Sequence, residues 1–261
     1  MPLQSREFTS RFLIKHHLAN SASEFARKCG FCVTRASNTL REKRLETLSR
    51  LSVETVLDIG ANTGQWAREL RNSGYRGRII SFEPAPEPFT QLKTSARFEE
   101  EHICVHAALA DRDGEGQLLI TNATVLSSFR TPIHDRYTSN CSEVKERVTV
   151  PIRRLDSIVP TLTCERDRFY MKIDTQGFEK EVLSGASGIL SRTDAVEVEL
   201  SLVDQYEEQA LLPEIWQLLV SSGLRPAWLE RGYRDPVDVW LLQVDGLFIR
   251  EEVWNLKKRA V

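Results

Sequence analysis

Short apolar runs alternating with amphipathic stretches organise the chain from Thr55 onward. Runs at 55–59, 78–82, 102–107, 168–173 and 195–202 predict β-strands. Between them, Gln65 to Arg71, Glu87 to Phe98 and Glu179 to Leu190 carry apolar residues at helical spacing, the last through Val182, Leu183, Ala186 and Ile189. Strand followed by helix, repeated, predicts a parallel sheet with crossover helices, a doubly wound α/β fold.

The rhythm breaks twice. Gln117 to Thr121 and Val148 to Ile152 predict two extra strands, an inserted hairpin flanking a polar stretch at 122–146 long enough to be a lid or substrate loop. Upstream, Leu40, Leu45, Leu48 and Leu51 recur at helical spacing among Arg, Lys and Glu. Residues 1–52 therefore read as an N-terminal helical extension and 53–261 as the main domain. The C-terminal part predicts a helix around 209–221 and strands at 226–230 and 239–249.

Composition changes this picture little. The 261 residues, 41% hydrophobic, suffice for a sizeable core. A net charge of -2 gives no basic field, which argues against nucleic acid and anionic membranes as main partners and for a small or neutral substrate. No apolar run is long enough for a signal or membrane span, so a cytoplasmic location is expected. Five scattered cysteines suit reduced thiols. The pair Cys29 and Cys32 has redox or half-zinc spacing, but lacks a preceding strand and a second ligand pair, so packing is the expected role.

The chemistry concentrates at the ends of the predicted strands. In an open parallel sheet, ligands sit outside the carboxyl ends of the strands where strand order reverses. The loop Gly60-Ala61-Asn62-Thr63-Gly64 occupies that place after the first strand. Its glycines permit a sharp turn and close backbone approach to a ligand, with Asn62 or Thr63 placed to cap the next helix. It has neither the Walker spacing nor the third glycine of the dinucleotide fingerprint. The second strand ends at Glu83, where a carboxylate can accept hydrogen bonds from both hydroxyls of a ribose. Loop and carboxylate together predict a nucleoside site.

Asp174 ends the strand at 168–173 and so shares the sheet edge with Gly60 and Glu83, as an acceptor-positioning group or general base; helix capping is its structural alternative. Glu197 and Glu199 alternate with apolar residues and face one side of the next strand, where buried charge must be used or paired. Glu199 is a second candidate for the acceptor pocket. His134, in the long polar stretch, could swing over the site as a base, though a solvated loop histidine is its plainer role. No set of oxygen ligands around Asp174 argues for an essential metal.

Four runs in order, VLDIGANTGQW (56–66), ISFEPAPEPFTQLK (80–93), HAALADRDGEGQL (106–118) and MKIDTQGFEKEVLSGA (171–186), resemble the FkbM-type methyltransferases. The resemblance, over roughly residues 53–250, implies a Rossmann-like class I methyltransferase sheet with S-adenosylmethionine as cofactor. It implies that Asp58, Gly60, Asn62 and Gly64 surround the methionine end of the donor, with Ala61 and Pro84 also among the cofactor-binding residues. Glu83 would hold the ribose, with Ala108 and Asp111 near the adenine. Asp111 also has a turn reading, in Asp111-Arg112-Asp113-Gly114. Ser127 and Ser128 match a serine pair of the family. The resemblance further implies O-methyl transfer to a hydroxylated small molecule, a sugar of a glycolipid or glycosylated metabolite. Two other classes stand beside it: a nicotinamide-dependent oxidoreductase, disfavoured by the missing glycine, and a non-catalytic binding module working through its N-terminal helices.

Overall fold

A computed structural model of the protein describes residues 40–99, 101–133, 141–235 and 240–253. Most of the N-terminal extension, the Cys29 and Cys32 pair and His134 lie outside the described residues. The described part of the extension is helix α1 (Leu40–Leu51).

Five strands form the parallel part of the main sheet: β1 (Thr55–Ile59), β2 (Arg78–Phe82), β3 (His102–Val105), β7 (Phe169–Ile173) and β8 (Thr193–Ser201). Two more complete it, β9 (Leu224–Arg231) and β10 (Gln243–Arg250), in the order β3-β2-β1-β7-β8-β10-β9. β10 runs antiparallel to the other six strands and pairs antiparallel with both β8 and β9. All five residues of β1 and of β7 are buried, as expected for central strands covered on both faces. Pro226 falls in β9, an edge strand, where one missing backbone donor is tolerated.

The expected crossover helices are present as α2 (Gln65–Asn72) and α3 (Pro86–Ala96). The helix expected over 179–190 is instead two short ones, α5 (Glu179–Ser184) and α6 (Ser187–Ser191). The break falls at Gly185, which packs so closely on the Ala110 carbonyl that a Cβ would lie 1.9 Å from its oxygen. Helix α7 (Leu212–Ser221) precedes β9.

The inserted hairpin is longer than the sequence suggests. Strands β5 (Gly114–Thr121) and β6 (Val144–Arg153) pair antiparallel, and the short β4 (Ala108–Leu109) adds to β6 as a second, three-stranded sheet. A short helix, α4 (Leu155–Ile158), follows it. Within the intervening segment, residues 131–133 pair with the loop that follows β8. The Glu207 amide donates to the Thr131 carbonyl at 2.9 Å and the Ile133 amide to the Gln205 carbonyl at 2.9 Å. Among the described residues, Cys104, Cys141 and Cys164 are free thiols. Among the described residues, no helix is long and apolar enough to cross a membrane.

Candidate active site

The strand order reverses between β1 and β7, so the chain leaves these neighbouring strands at one sheet edge in opposite lateral directions. Gly60 follows β1 and Asp174 follows β7, and the two backbones touch: a Cβ on Gly60 would lie 1.9 Å from the Asp174 carbonyl oxygen. Gly60 also has φ +77°, a conformation that only glycine adopts without cost. The loop is anchored to β2, with the Gly60 and Ala61 amides donating to the Phe82 carbonyl at 3.1 and 3.0 Å. Gly64, at φ +79°, is the N-cap of α2 and brings no side-chain cap. The expected capping by Asn62 or Thr63 is therefore not what the fold uses. The Asn62 side chain turns inward on its own loop, accepting from the Thr63 amide at 2.9 Å.

Glu83 closes the other side. It is buried, and its two carboxylate oxygens accept from the Asn62 and Ala85 amides, each at 2.7 Å. Burial pushes its carboxyl up to about 7, although both amides favour the ionised form. A carboxylate oxygen has a second lone pair, so each retains acceptor capacity for a ligand hydroxyl.

Loop, carboxylate and inserted segment enclose a cavity of about 290 Å³. Gly60, Ala61, Asn62, Glu83, Pro84, Ala108 and Asp174 all line it, so seven of the positions singled out from sequence converge. Thr124, Val125, Ser127, Ser128 and Phe129 contribute from 122–133, consistent with the expected lid or substrate loop. Leu109, Leu118, Phe129 and Phe178 make one end apolar, Phe129 stacking on Phe178 with centroids 5.1 Å apart.

Three positions are not brought to the wall. Gly64 is the turn into α2. Asp58 is fully buried beneath the loop, accepting from Ser81 Oγ at 3.2 Å with Lys172 Nζ 3.6 Å away. Asp111 is exposed and pairs with the adjacent Arg112 at 3.6 Å, which fits its turn reading.

A polar row crosses the sheet beneath the cavity. Ser81, Asp58, Lys172 and Glu197 are register partners on β2, β1, β7 and β8 and so share one face. Sequence reasoning passed over two members, Ser81 and Lys172, and Lys172 is the charged one. Its ammonium lies 3.6 Å from Asp58 and 3.3 Å from Asp174 and donates to the Gly60 carbonyl at 3.2 Å. Burial opposes its charge, but Asp174 and then Asp58 outweigh burial and hold its pKa above the ordinary lysine value. The available signal was a lysine inside an otherwise apolar strand, two residues before an aspartate.

Asp174 caps no helix. The loop amides of Thr175 and Gly177 instead donate to the buried Glu179 carboxylate at 2.9 and 3.2 Å. Asp174 accepts from Gln176 Nε2 at 2.7 Å, and its side chain, 40% exposed, is free to meet a ligand.

A smaller cavity, about 210 Å³, adjoins the first and shares Trp66, Lys172 and Asp174 with it. Glu199 lines this second space, 3.2 Å from Gln176 Nε2. Burial, then the Asp174, Glu179 and Asp245 carboxylates, hold it well above the usual carboxylate range. Glu197 is satisfied by Arg44, at 2.6 and 2.7 Å, by the Tyr170 hydroxyl at 2.6 Å and by the Trp66 indole at 3.2 Å. It is paired, as a buried charge on that face had to be. Among the described residues, no cluster of His, Cys, Asp and Glu could hold a metal ion.

A methyltransferase FkbM domain matches residues 58–234. A 2-O-methyltransferase of Sinorhizobium fredii, NoeI, is 24% identical over 220 residues, covering 81% of this chain and 90% of that protein. Among solved structures, methyltransferase FkbM from Methylobacillus flagellatus aligns with a TM-score of 0.46 and 15% identity over 74% of this chain. This chain spans 43% of that one. Burkholderia thailandensis 1,6-didemethyltoxoflavin-N1-methyltransferase, solved with S-adenosylhomocysteine, aligns with a TM-score of 0.42 and 14% identity over 96% of this chain and 92% of that one.

Proposed function

Because the chain belongs to the FkbM methyltransferase family, we propose that it transfers a methyl group from S-adenosylmethionine to a hydroxyl oxygen of a small acceptor, a sugar-bearing glycoconjugate being the class to test first. The observation that carries this reading is the shared edge. A buried carboxylate, Glu83, faces a glycine-turned loop, with Asp174 at the same rim between two cavities.

The larger cavity suits a nucleoside donor in its own terms. It has an apolar end for a flat base, a carboxylate with spare acceptor capacity for ribose hydroxyls, and a polar rim at Asn62 and Asp174. When bound, the donor supplies an electrophilic methyl group on a sulfonium. The chain then has to align the acceptor oxygen, exclude water and receive a proton. Asp174, reachable from both cavities, accepts the hydroxyl proton, and Lys172 and Gln176 hold its carboxylate in place. Glu199, in the smaller cavity, contacts the acceptor. Oxygen as the methylated atom is favoured by the name of the S. fredii relative.

Two measurements test this. Titration calorimetry with S-adenosylmethionine and with NAD⁺ should give binding of the first alone; binding of NAD⁺ without S-adenosylmethionine overturns the donor assignment. Methyl-labelled donor incubated with fractionated glycoconjugates should then yield an alkali-stable methyl ether, and label on nitrogen or a carboxyl ester would reject O-transfer.

A further inference from the structure

Arg44 lies on α1, before the span that matches the methyltransferase domain, yet it is buried against the site. Its guanidinium grips the Glu197 carboxylate through two nitrogens, at 2.6 and 2.7 Å, and lies over the Trp66 ring at 4.7 Å from the centroid. The Trp66 indole N–H donates to the same carboxylate at 3.2 Å, and its ring stacks on Tyr170, whose hydroxyl donates to that carboxylate as well. The indole is thus held on its face by a cation, at its edge by a carboxylate and on its ring by an aromatic partner. Trp66 in turn is part of the wall of both cavities.

We infer that Arg44 is a positioning residue that fixes the Trp66 indole as a wall of the donor cavity, which makes the helix preceding the methyltransferase domain part of the donor site. The inference rests on the proposed assignment of the larger cavity to the donor. The chemistry requires arginine in particular. A planar guanidinium can chelate a carboxylate in its plane and stack on an indole with its face, whereas an ammonium keeps the charge and loses the fork and the flat contact. Charge alone would satisfy Glu197; only the guanidinium does both tasks.

The test is a double-mutant cycle on Arg44→Lys and Trp66→Phe, in full-length protein labelled with 5-fluorotryptophan. Arg44→Lys keeps a cation beside the buried Glu197, so folding is retained and is checked by the fluorine signals of the other tryptophans. The Trp66 resonance, assigned by its loss in Trp66→Phe, should shift in Arg44→Lys while the others stay in place. S-Adenosylmethionine should bind about tenfold more weakly to each single variant, and the double variant should be no weaker than either single one. An unmoved Trp66 resonance, or losses that multiply in the double variant, would overturn the inference. Absence of donor binding to the unmutated protein would instead refute the donor assignment, and the Trp66 resonance would still report whether Arg44 fixes the indole. General collapse of the fluorine spectrum in Arg44→Lys would show a merely structural role and would also count against it.

Discussion

The Lys172 ammonium lies 3.3 Å from an Asp174 carboxylate oxygen, and the two residues, two positions apart at the carboxyl end of β7, couple a buried cation to a solvent-reachable acid. A carboxylate held in that way is positioned without being consumed. It faces both cavities and caps no helix. Asp174→Asn keeps the shape and removes the basic oxygen. Methyl transfer, read as label from S-adenosylmethionine entering the acceptor fraction, is expected to fall by about 10² to 10⁴, the usual worth of a positioned general base. Donor affinity by calorimetry should change less than about threefold. Turnover equal to that of the unmutated protein would remove Asp174 from the chemistry.

The same lysine stabilises the fold. Asp58 is fully buried, with burial pushing its pKa up and Lys172 the largest influence in the other direction. Lys172→Met leaves that carboxylate without its cation, at an expected cost of about 3 to 5 kcal/mol in urea unfolding. Adding Asp58→Asn to Lys172→Met should restore part of the loss, because the uncompensated charge goes with it. A double variant less stable than Lys172→Met would show that hydrogen bonding by Asp58, and not its charge, carries the effect.

Much of this arrangement was legible in the chain. Strand ends at Gly60, Glu83 and Asp174 follow from apolar runs whose period and length admit few other elements, and parallel topology puts such ends at one edge. What the sequence could not supply was lateral register. That Ser81, Asp58, Lys172 and Glu197 form one row depends on how four strands align, which no local pattern encodes. Arg44 was hidden for the same reason: on α1 it reads as one more charge among Arg, Lys and Glu, and only tertiary packing turns it inward. Asp111 shows the converse, a residue whose exposed position agrees with its local turn chemistry.

Glu83 gives the site a pH signature. Its carboxyl is pushed from an ordinary 4.5 up to about 7. On the proposed role of Glu83, a ribose hydroxyl would donate to the ionised form, so S-adenosylmethionine affinity should rise as pH increases through about 7 and level off above it. In Glu83→Gln the affinity should be lower and this inflection should vanish. The sign for stability is opposite. The folded protein holds this proton more tightly than the unfolded chain, so the group's contribution is fully present below 4.5 and is lost as pH rises toward 7. Calorimetric titrations between pH 5.5 and pH 8.5 (about 1.5 units either side of 7) check the binding sign. Affinity that falls with rising pH would mean that the protonated carboxyl is the binding form.

The inserted segment is tied to the Asp174 loop through Arg130. Its Nε donates to the Gly177 carbonyl at 2.8 Å, one terminal nitrogen meets Glu181 at 2.6 Å, and the other donates to the Glu207 carbonyl at 3.1 Å. Ser128 adds a second tie, donating to the Gln176 carbonyl at 2.7 Å. The neighbours Val125 and Phe129 line the larger cavity, so on the proposed donor assignment these ties hold the segment over the ligand. Arg130→Ala should therefore act on escape more than on entry. S-Adenosylhomocysteine, displaced by excess S-adenosylmethionine in stopped flow, is expected to leave about tenfold faster, while its association rate changes by less than about threefold. A change confined to the association rate would mean that the segment gates entry and that its ties to 176–181 do not retain the ligand.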